Sequence, residues 1–593
     1  MYLHLPLPVF FVVFLSAIPG APADTQPLTV TVLNGTLSGA RCPSTDVNSF
    51  LSIPYANPPL GDLRFAPPQV YDEKYDGVLN ATTPAPACPQ FSIAFNESTV
   101  ESEDCLFIDV WAPANATVSS ALPVRVWVFG GADVAGGISN PLYDGCFAST
   151  DSIQVSINYR VGPLGFLVDE GLGLTGNYGI QDLLLGLQWV QDNIASFGGD
   201  PTRVLLFGQS AGATNSRIIS GLPQAPSLFH AAVLESGNYR ALPNLTAATQ
   251  ANAPYIASLD CAGNVACLRS TPVGTLVARF VANAAQSLFG LVVDGTTIPA
   301  APTHPLVPSI IGSVGAEGTL FVVGEFLARG GVLSLNESAY VPWLEGFAAV
   351  EGFSSLSAPD VTAINETYPV SRFADAINPT FAAMSAVLTD SYFRCPAQQV
   401  AASAAAAGVP VWTYSFNHTP SCAWSKAIPQ NWRVLELLGA AHTSELPFVF
   451  GQLTNLPHPS GACSLTADEV ALSATMRTHW DHMASDATPA AGWPAYNAST
   501  SMGINVLNST AEWQSGTVDY SMCAFWDKIL GVGLVVPDSS NGTGNSSSPN
   551  GSSMPTGTGG GSGSGSSSAM NAMPNWAYCT LLAVMVVALE TFW

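Results

Sequence analysis

The chain has 593 residues, and 48% of them are hydrophobic, which is enough apolar material for a large buried core. Its 42 acidic residues outnumber its 17 basic residues and give a formal net charge of −25, with an isoelectric point near 4.4. This charge repels a polyanion, and no cluster of lysine or arginine offsets it, so the composition argues against a nucleic-acid partner.

The first 23 residues have the features of a secretory signal peptide. They carry no Lys, Arg, Asp or Glu, run apolar from Leu5 through Ile18, and end in Ala21-Pro22-Ala23, an A-x-A cleavage pattern. The apolar run is shorter than the about 20 residues that a membrane-spanning helix needs. We therefore expect an extracellular protein in which residues 24–537, which hold no internal repeat, form one globular domain.

A first strand is predicted at residues 123–132, PVRVWVFGGA, where an apolar run opens into a turn of small residues. Such a turn leaves backbone N–H groups free to bind a developing negative charge. The N–H groups of Gly131 and Ala132 are the candidates, together with that of Ala211 farther along the chain. The alternative is an ordinary glycine turn after a strand.

A second strand is predicted at residues 203–207, RVLLF, and is followed directly by GQSAGA. Its apolar residues predict burial on both faces, and AGATNSRII after it predicts an immediate helix. Ser210 then lies at the tip of a nucleophile elbow with a strained backbone. Gly208 and Gly212 are required because a Cβ there would collide with neighbouring backbone. The alternative is a glycine-rich loop, because G-x-S-x-G also occurs by chance.

A serine hydroxyl needs an orienting acid and a base, and in hydrolases with this elbow the chain order is Ser, acid, His. Glu317 in SIIGSVGAEGTLF ends an apolar strand, at the sheet edge where active sites gather side chains. Asp294 in LVVDGTTIP is the second candidate, although its surroundings indicate a structural loop. The sequence therefore favours Glu317 as the acid.

The candidate bases are the histidines that follow the acid: His418, His442, His458, His479 and His482. We expect His418, inside a sequon, and His458, between prolines, at the surface. His479 and His482 fit a polar helix face. His442 stands in GAAHTSELPFVFG, a small-residue loop before an apolar segment, and it is the histidine that fits the required order and context.

The C-terminal part differs in composition from the rest of the chain. Residues 538–568 consist mostly of Ser, Gly, Asn, Thr and Pro, which predicts a disordered stalk. Residues 569–593 end in an apolar tail, and small residues with a spacer of about 8 to 10 residues precede it. This pattern predicts a removable glycosylphosphatidylinositol (GPI) attachment signal with Ser566 as the attachment site. The alternative is a C-terminal membrane helix.

Cysteines and sequons also predict export. Removal of Cys579 with the tail leaves ten cysteines, an even number suited to disulfides, and none has the C-x-x-C spacing of a zinc site. We expect no metal ion. The predicted glycosylation sites of the domain are Asn34, Asn80, Asn96, Asn115, Asn244, Asn336, Asn365, Asn417, Asn497 and Asn508, and the stalk adds Asn541, Asn545 and Asn550.

Ordered motifs over residues 28–532 carry a family resemblance. They include EDCLFIDVW, VWVFGGA, SINYRVGPLGFL, GNYGIQDLLLGLQWVQDNIASFGGDP, FGQSAGA, LESG, GAEGTLF and HTSELPFVFG. The chain resembles the type-B carboxylesterase/lipase family, α/β-hydrolases that include cholinesterases and secreted fungal esterases. The resemblance implies an α/β fold with a large, mostly parallel central sheet flanked by helices.

The resemblance also implies roles for individual residues. Ser210 corresponds to the nucleophile, Glu317 to the acid and His442 to the base. Gly131, Ala132 and Ala211 correspond to the oxyanion donors, and Ser236 resembles a supporting hydroxyl. The implied bridges are Cys88–Cys105, Cys261–Cys267 and Cys395–Cys523, whereas the pairing of Cys42, Cys146, Cys422 and Cys463 stays open. Arg64 with Glu103 and Arg160 with Asp182 resemble structural ion pairs.

The expected activity is a serine carboxylic ester hydrolase that needs no cofactor. The segment from Cys88 to Cys105 is short and lacks the tryptophan that cholinesterases use as a cation platform, which disfavours choline esters. It also lacks the long amphipathic lid of lipases, which favours small to medium esters. Alternatives are a lipase for longer acyl chains, a non-catalytic adhesion protein and a cell-wall structural protein. The physiological ester and the oligomeric state stay open.

Overall fold

A computed structural model describes residues 28–90, 100–239, 241–283, 289–327, 335–348, 356–454, 461–506 and 510–531. The expected signal peptide, stalk and GPI signal with Ser566 lie outside these residues. So do His458 and the sequon asparagines Asn96, Asn508, Asn541, Asn545 and Asn550. The fold is therefore that of the expected globular domain.

The described strands belong to three sheets. They are β1 (Thr29–Val32), β2 (Gly35–Ser38), β3 (Ala40–Arg41), β4 (Val47–Pro54), β5 (Val78–Asn80), β6 (Phe107–Pro113), β7 (Leu122–Val128), β8 (Ile153–Ile157), β9 (Val168–Asp169), β10 (Leu174–Thr175), β11 (Gly199–Gln209), β12 (Ala231–Glu235), β13 (Ser309–Val314), β14 (Val411–Phe416), β15 (Met502–Val506) and β16 (Trp513–Thr517).

All the described α-helices follow β8 in the chain. They are α1 (Gly162–Phe166), α2 (Tyr178–Asn193), α3 (Ala211–Ser220), α4 (Ala225–Leu228), α5 (Leu245–Ser258), α6 (Val265–Ser270), α7 (Val273–Asn283), α8 (Gly318–Leu327), α9 (Tyr340–Ala348), α10 (Ala358–Thr367), α11 (Pro379–Leu388), α12 (Cys395–Ala406), α13 (Trp432–Leu438), α14 (Leu446–Phe450), α15 (Ala467–Asp486) and α16 (Cys523–Leu530). A π-helical turn, Thr389–Arg394, joins α11 to α12.

The main sheet has eleven described strands in the order β16-β15-β14-β13-β12-β11-β7-β8-β6-β4-β3. Neighbouring strands from β8 to β15 are parallel. Antiparallel pairs close both edges, with β16 on one side and β6, β4 and β3 on the other. In a mostly parallel sheet, ligand sites lie at the carboxyl ends of the strands, so these ends position the candidate site.

The sequence of the central strands explains their burial. Val204, Leu205, Leu206 and Phe207 are fully buried, which confirms the prediction of a strand covered on both faces. Helices α3 and α15 pack on β11 and β12 and supply that cover. A second apolar cluster lies among α8, α9, α11 and α16 and includes Val322, Tyr340, Val387 and Trp526. The strand that leads into the elbow belongs to the larger of these clusters, which contains residues 204–207.

The described part of the chain contains five disulfides. Three are the pairs that the family resemblance implied, Cys88–Cys105, Cys261–Cys267 and Cys395–Cys523. The four remaining cysteines, whose pairing the sequence left open, form Cys42–Cys146 and Cys422–Cys463. Such bridges stabilise a fold mainly by restricting the unfolded chain.

Two ion pairs expected from the resemblance are present, and the one between Arg160 and Asp182 is fully buried. Arg64 Nη2 lies 2.6 Å from Glu103 Oε2, and Arg160 Nη2 lies 2.7 Å from Asp182 Oδ1. Each arginine also donates through Nε to the same carboxylate, so both pairs are bidentate.

Among the residues that the structure describes, no helix is both long and apolar enough to cross a bilayer.

Candidate active site

Ser210 lies where the central strand β11 turns directly into α3. Its backbone has φ 59° and ψ −126°, a conformation that a non-glycine residue rarely adopts. The Ser210 N–H donates to the backbone oxygen of Glu235 at 2.9 Å, which ties the turn to the end of β12. The strained turn expected from GQSAGA is therefore confirmed, and it exposes the hydroxyl at the carboxyl end of the sheet.

Two glycines allow this turn to pack against the neighbouring strand. A Cβ on Gly212 would lie 2.1 Å from the backbone oxygen of Val128, and a Cβ on Gly208 would lie 2.7 Å from the same atom. Both distances are shorter than any real carbon–oxygen contact, so any larger residue would push α3 away from β7. The steric role expected for Gly208 and Gly212 is confirmed.

Glu317 and His442 meet beside the elbow. Glu317 Oε2 lies 2.5 Å from His442 Nδ1, and both side chains are almost completely buried. Glu317 Oε1 accepts from the backbone N–H of Val314 at 2.9 Å, which fixes the carboxylate at the end of β13. A parallel bridge between Ala316 and Ala441 holds the two loops side by side. A carboxylate in this position favours the imidazole tautomer with its proton on Nδ1.

The amide of Gln209 occupies the space next to the imidazole. Gln209 Nε2 lies 3.2 Å from His442 Nε2 and 3.5 Å from Nδ1, so it packs against the ring between the two nitrogens. Ser210 and His442 are both described, and no hydrogen bond joins the serine hydroxyl to the ring. Apo sites often have long or misaligned contacts that tighten when substrate binds. The sequence motif contains Gln209, but its contact with His442 is visible only in the structure.

Two aromatic rings also pack against the imidazole of His442. The ring centroids of Phe321 and Phe393 lie 5.1 and 4.9 Å from the imidazole centroid. Phe393 belongs to the π-helical turn, and such turns are frequent at functional sites. Thr389 in the same turn accepts from the N–H of Gly318, the residue after Glu317. The turn therefore supports both the acid and the imidazole, and the sequence carried no signal for it.

The predicted oxyanion loop packs closely on the elbow. A Cβ on Gly130 would lie 2.7 Å from Ser210 Cβ, so only glycine permits this approach. The next residues, Gly131 and Ala132, have φ +124° and +55°. Ala211, the third predicted donor, is the first residue of α3. The structure thus brings the loop and the helix start together around Ser210.

Buried carboxyl groups lie behind the elbow. The hydroxyl of Ser236 is 3.5 Å from Glu445 Oε1, which is a long contact. Burial raises the pKa of Glu445 well above its usual range, and the charges of Glu235 and Glu317 add to the effect. Burial raises the pKa of Glu235 to about 8. The family resemblance suggested Ser236 but not these two acids, whose burial depends on the assembled fold.

The other candidate acid and bases have different partners. Asp294 accepts from Asn177 Nδ2 at 2.8 Å and from two backbone N–H groups, so it organises a loop. The surface position expected for His418 is wrong, because the residue is buried and contacts Glu469 at 3.0 Å. The polar helix face expected for His479 is also wrong, because its ring is buried and stacks on Trp513.

The sequon asparagines differ in exposure. Asn34 is buried, and its Nδ2, the atom that would carry a glycan, donates to the backbone oxygens of Tyr71 and Glu73. This placement does not favour glycosylation at Asn34. The asparagines that are exposed are Asn80, Asn115, Asn244, Asn336 and Asn497, and those that are half-buried are Asn365 and Asn417.

Comparison with known proteins identifies the family to which this arrangement belongs. The family model described as Carboxylesterase family matches residues 26–526. The chain belongs to the carboxylesterase family. Para-nitrobenzyl esterase of Bacillus subtilis is 33% identical over 498 residues, which cover 79% of this chain and 93% of that protein. Cocaine esterase of Homo sapiens is 33% identical over 488 residues, 77% of this chain and 82% of that protein.

A cholinesterase is also similar to this chain. Acetylcholinesterase of Bungarus fasciatus is 30% identical over 562 residues, which cover 87% of this carboxylesterase and 88% of the snake protein. The expected family, the α/β-hydrolase fold and the general activity are therefore confirmed. This carboxylesterase is a carboxylic ester hydrolase.

Proposed function

We propose that the protein hydrolyses esters through an acyl-enzyme on Ser210, with His442 as the base and Glu317 as the orienting acid. The observation that carries this proposal is the buried contact between Glu317 Oε2 and His442 Nδ1 beside the strained Ser210 turn. With Nδ1 protonated, the free lone pair of the ring is on Nε2. That is the nitrogen that must accept the serine proton.

The reaction then has two acyl-transfer steps. Ser210 Oγ attacks the ester carbonyl carbon while its proton moves to His442 Nε2. The tetrahedral intermediate collapses, and the alcohol leaves with that proton, so the acyl group stays on Ser210. Water repeats the sequence, gives its proton to His442, and the carboxylic acid leaves as the serine regains a proton. Glu317 stabilises the positive charge that the imidazole carries in both steps.

The negative charge that develops on the carbonyl oxygen needs N–H donors that are already in place. We assign this role to the N–H groups of Gly131, Ala132 and Ala211. The close approach of Gly130 to Ser210 supports the assignment, because it sets the loop beside the attacking oxygen. The methyl group of Ala132, in a position where the family usually has glycine, narrows the space for the alcohol part of the ester.

The substrates that we propose are esters of small to medium size. This proposal rests on the sequence between Cys88 and Cys105, which has neither the length of an amphipathic lid nor a tryptophan for a quaternary ammonium group.

We also propose that the protein is exported and anchored to the cell surface through a GPI group. Five disulfides support an oxidising compartment.

The test is hydrolysis of p-nitrophenyl acetate, butyrate and palmitate by the secreted protein and by its Ser210→Ala variant. We expect kcat/KM to be larger for acetate and butyrate than for palmitate, and we expect the activity to disappear in the variant. Activity that persists in S210A would contradict the assignment of the nucleophile. A preference for palmitate would contradict the substrate class and favour a lipase.

A further inference from the structure

The loop that follows β7 has positive φ at three consecutive residues, and two of them are not glycine. Gly131, Ala132 and Asp133 have φ +124°, +55° and +58°. Alanine and aspartate disfavour this left-handed region, and such residues persist only where the surrounding structure holds them. Because Ala132 is a proposed oxyanion donor, whatever holds this loop also sets the position of its N–H.

The first end of the loop is held by Tyr159. Its hydroxyl donates to the backbone oxygen of Phe129 at 2.8 Å, and the two rings stack with their centroids 4.3 Å apart. The backbone of the loop adds internal bonds, because the N–H groups of Val134 and Ala135 both donate to the oxygen of Gly131. These contacts fix the fold of the loop, and the Tyr159 hydroxyl also interacts with Asn215 of α3, the helix that begins with the donor Ala211.

The second end of the loop is held by a buried side-chain bond. Asn215 Nδ2 donates to Asp133 Oδ1 at 2.8 Å, and both residues are buried. Asn215 stands in α3, five residues after Ser210. The backbone oxygen of Asp133 accepts from the N–H of Gly162 at 2.6 Å, so this residue is fixed on two sides. Burial raises the pKa of Asp133 to about 7, and Oδ1 accepts the bond in either protonation state.

We propose that Asp133 and Asn215 are positioning residues that lock the oxyanion loop onto the nucleophile helix. The inference rests on the proposed function above. Ala211 and Asn215 share one rigid helix, and Ala132 adjoins Asp133. The bond between Asn215 and Asp133 therefore adds a side-chain link that helps to set the distance between N–H donors from two separate segments. A displacement of about 1 Å in such a site costs on the order of a hundredfold in rate.

If the Asp133–Asn215 bond positions the oxyanion donors, its loss should affect the transition state rather than substrate binding. Asp133→Ala and Asn215→Ala should each lower kcat by about tenfold to a hundredfold and leave KM within about threefold. The affinity for a trifluoromethyl ketone, whose tetrahedral hemiketal adduct with Ser210 carries the oxyanion, should fall by the same factor as kcat/KM. The double variant should be no worse than either single variant, because both remove one bond. Asp133→Asn keeps the acceptor oxygen and should stay within about threefold of the wild type.

A matched control separates positioning from general destabilisation. Asp294 accepts from Asn177 at 2.8 Å in another buried Asp–Asn pair, so Asp294→Ala removes the same kind of bond elsewhere, together with two bonds from backbone N–H groups. We expect D294A to lower the melting temperature and leave kcat unchanged. If D133A is not secreted as a folded protein, N215A gives the same test with the loop sequence intact.

The outcomes distinguish this inference from the proposed function. One outcome is that D133A and N215A keep the wild-type kcat while the wild type is active and Ser210→Ala is inactive. This outcome would overturn the positioning role of Asp133 and Asn215 and leave the proposed function intact. An equal loss of kcat in D294A would also overturn the positioning role, because the effect would then be general. An inactive wild type would overturn the proposed function and the lock with it.

Discussion

Glu235 carries a carboxyl group that folding removes from water. It ends β12 and is completely buried, and Trp480 Nε1 donates to its Oε1 at 2.7 Å. Its Oε2 has no hydrogen-bond partner among the described residues. Burial raises its pKa from 4.5 to about 8, although the Trp480 bond and the charge of Arg125 act in the opposite direction. The folded protein therefore keeps this proton at pH values where the unfolded chain releases it.

This difference in proton binding makes the free energy of unfolding depend on pH. A raised pKa means that the stability contribution is complete below pH 4.5 and is lost as pH rises to about 8. One proton corresponds to about 1.4 kcal/mol per pH unit, so the shift of roughly 3.5 units amounts to about 5 kcal/mol over the window. The nearby Glu445, whose pKa is also raised, acts in the same direction.

Glu235→Gln removes the titrating group and keeps an acceptor oxygen for Trp480. We expect the free energy of unfolding of E235Q, relative to wild type, to rise with pH by about 1 kcal/mol per pH unit on average between pH 5 and pH 8. Urea unfolding at pH 5, 6, 7 and 8 measures this difference. Glu436→Gln, at an exposed position, is the control and should follow the wild type. Parallel wild-type and E235Q curves across the window would refute the reasoning.

Three further variants test the site itself. Gly212→Ala places a methyl group 2.1 Å from the backbone oxygen of Val128. It should lower the free energy of unfolding by about 1 to 3 kcal/mol and reduce activity. Gly274→Ala is its control, because a methyl group there meets nothing within 4 Å. Ala132→Gly should raise kcat/KM for esters of branched alcohols relative to linear ones, and unchanged selectivity would count against a narrowed alcohol pocket. Glu317→Gln should lower kcat on the order of 10⁴-fold with the protein still folded, because His442 loses the partner that sets its tautomer; a loss below tenfold would argue for a different acid.

Local patterns were sufficient to predict the elbow, and the family resemblance implied the fold. The apolar run before Ser210 and the glycines around it specify a buried strand and a tight turn through contacts that are close in sequence. Chain order then selected Glu317 and His442, and the structure places these two side chains in contact. Their catalytic roles stay a prediction.

Long-range contacts account for what the sequence did not reveal. His418 is buried, and Glu469, 51 residues later, accepts its hydrogen bond. Cys42 pairs with Cys146 across 104 residues, a choice that spacing alone cannot make. Asp133 and Asn215 are 82 residues apart, and each is an ordinary polar residue until the fold buries both. Burial and partner choice therefore depend on the assembled tertiary structure.

The central claim is that Ser210 forms the acyl-enzyme. Its most direct test is acid quenching of the wild type during turnover of p-nitrophenyl butyrate, followed by tryptic digestion and mass spectrometry. Cleavage after Arg203 and Arg217 isolates residues 204–217, which contain Ser210. We predict a butyryl group on Ser210 in the wild type and none on this peptide in Ser210→Ala. A butyryl group on another residue of an active enzyme, with residues 204–217 unmodified, would contradict the claim.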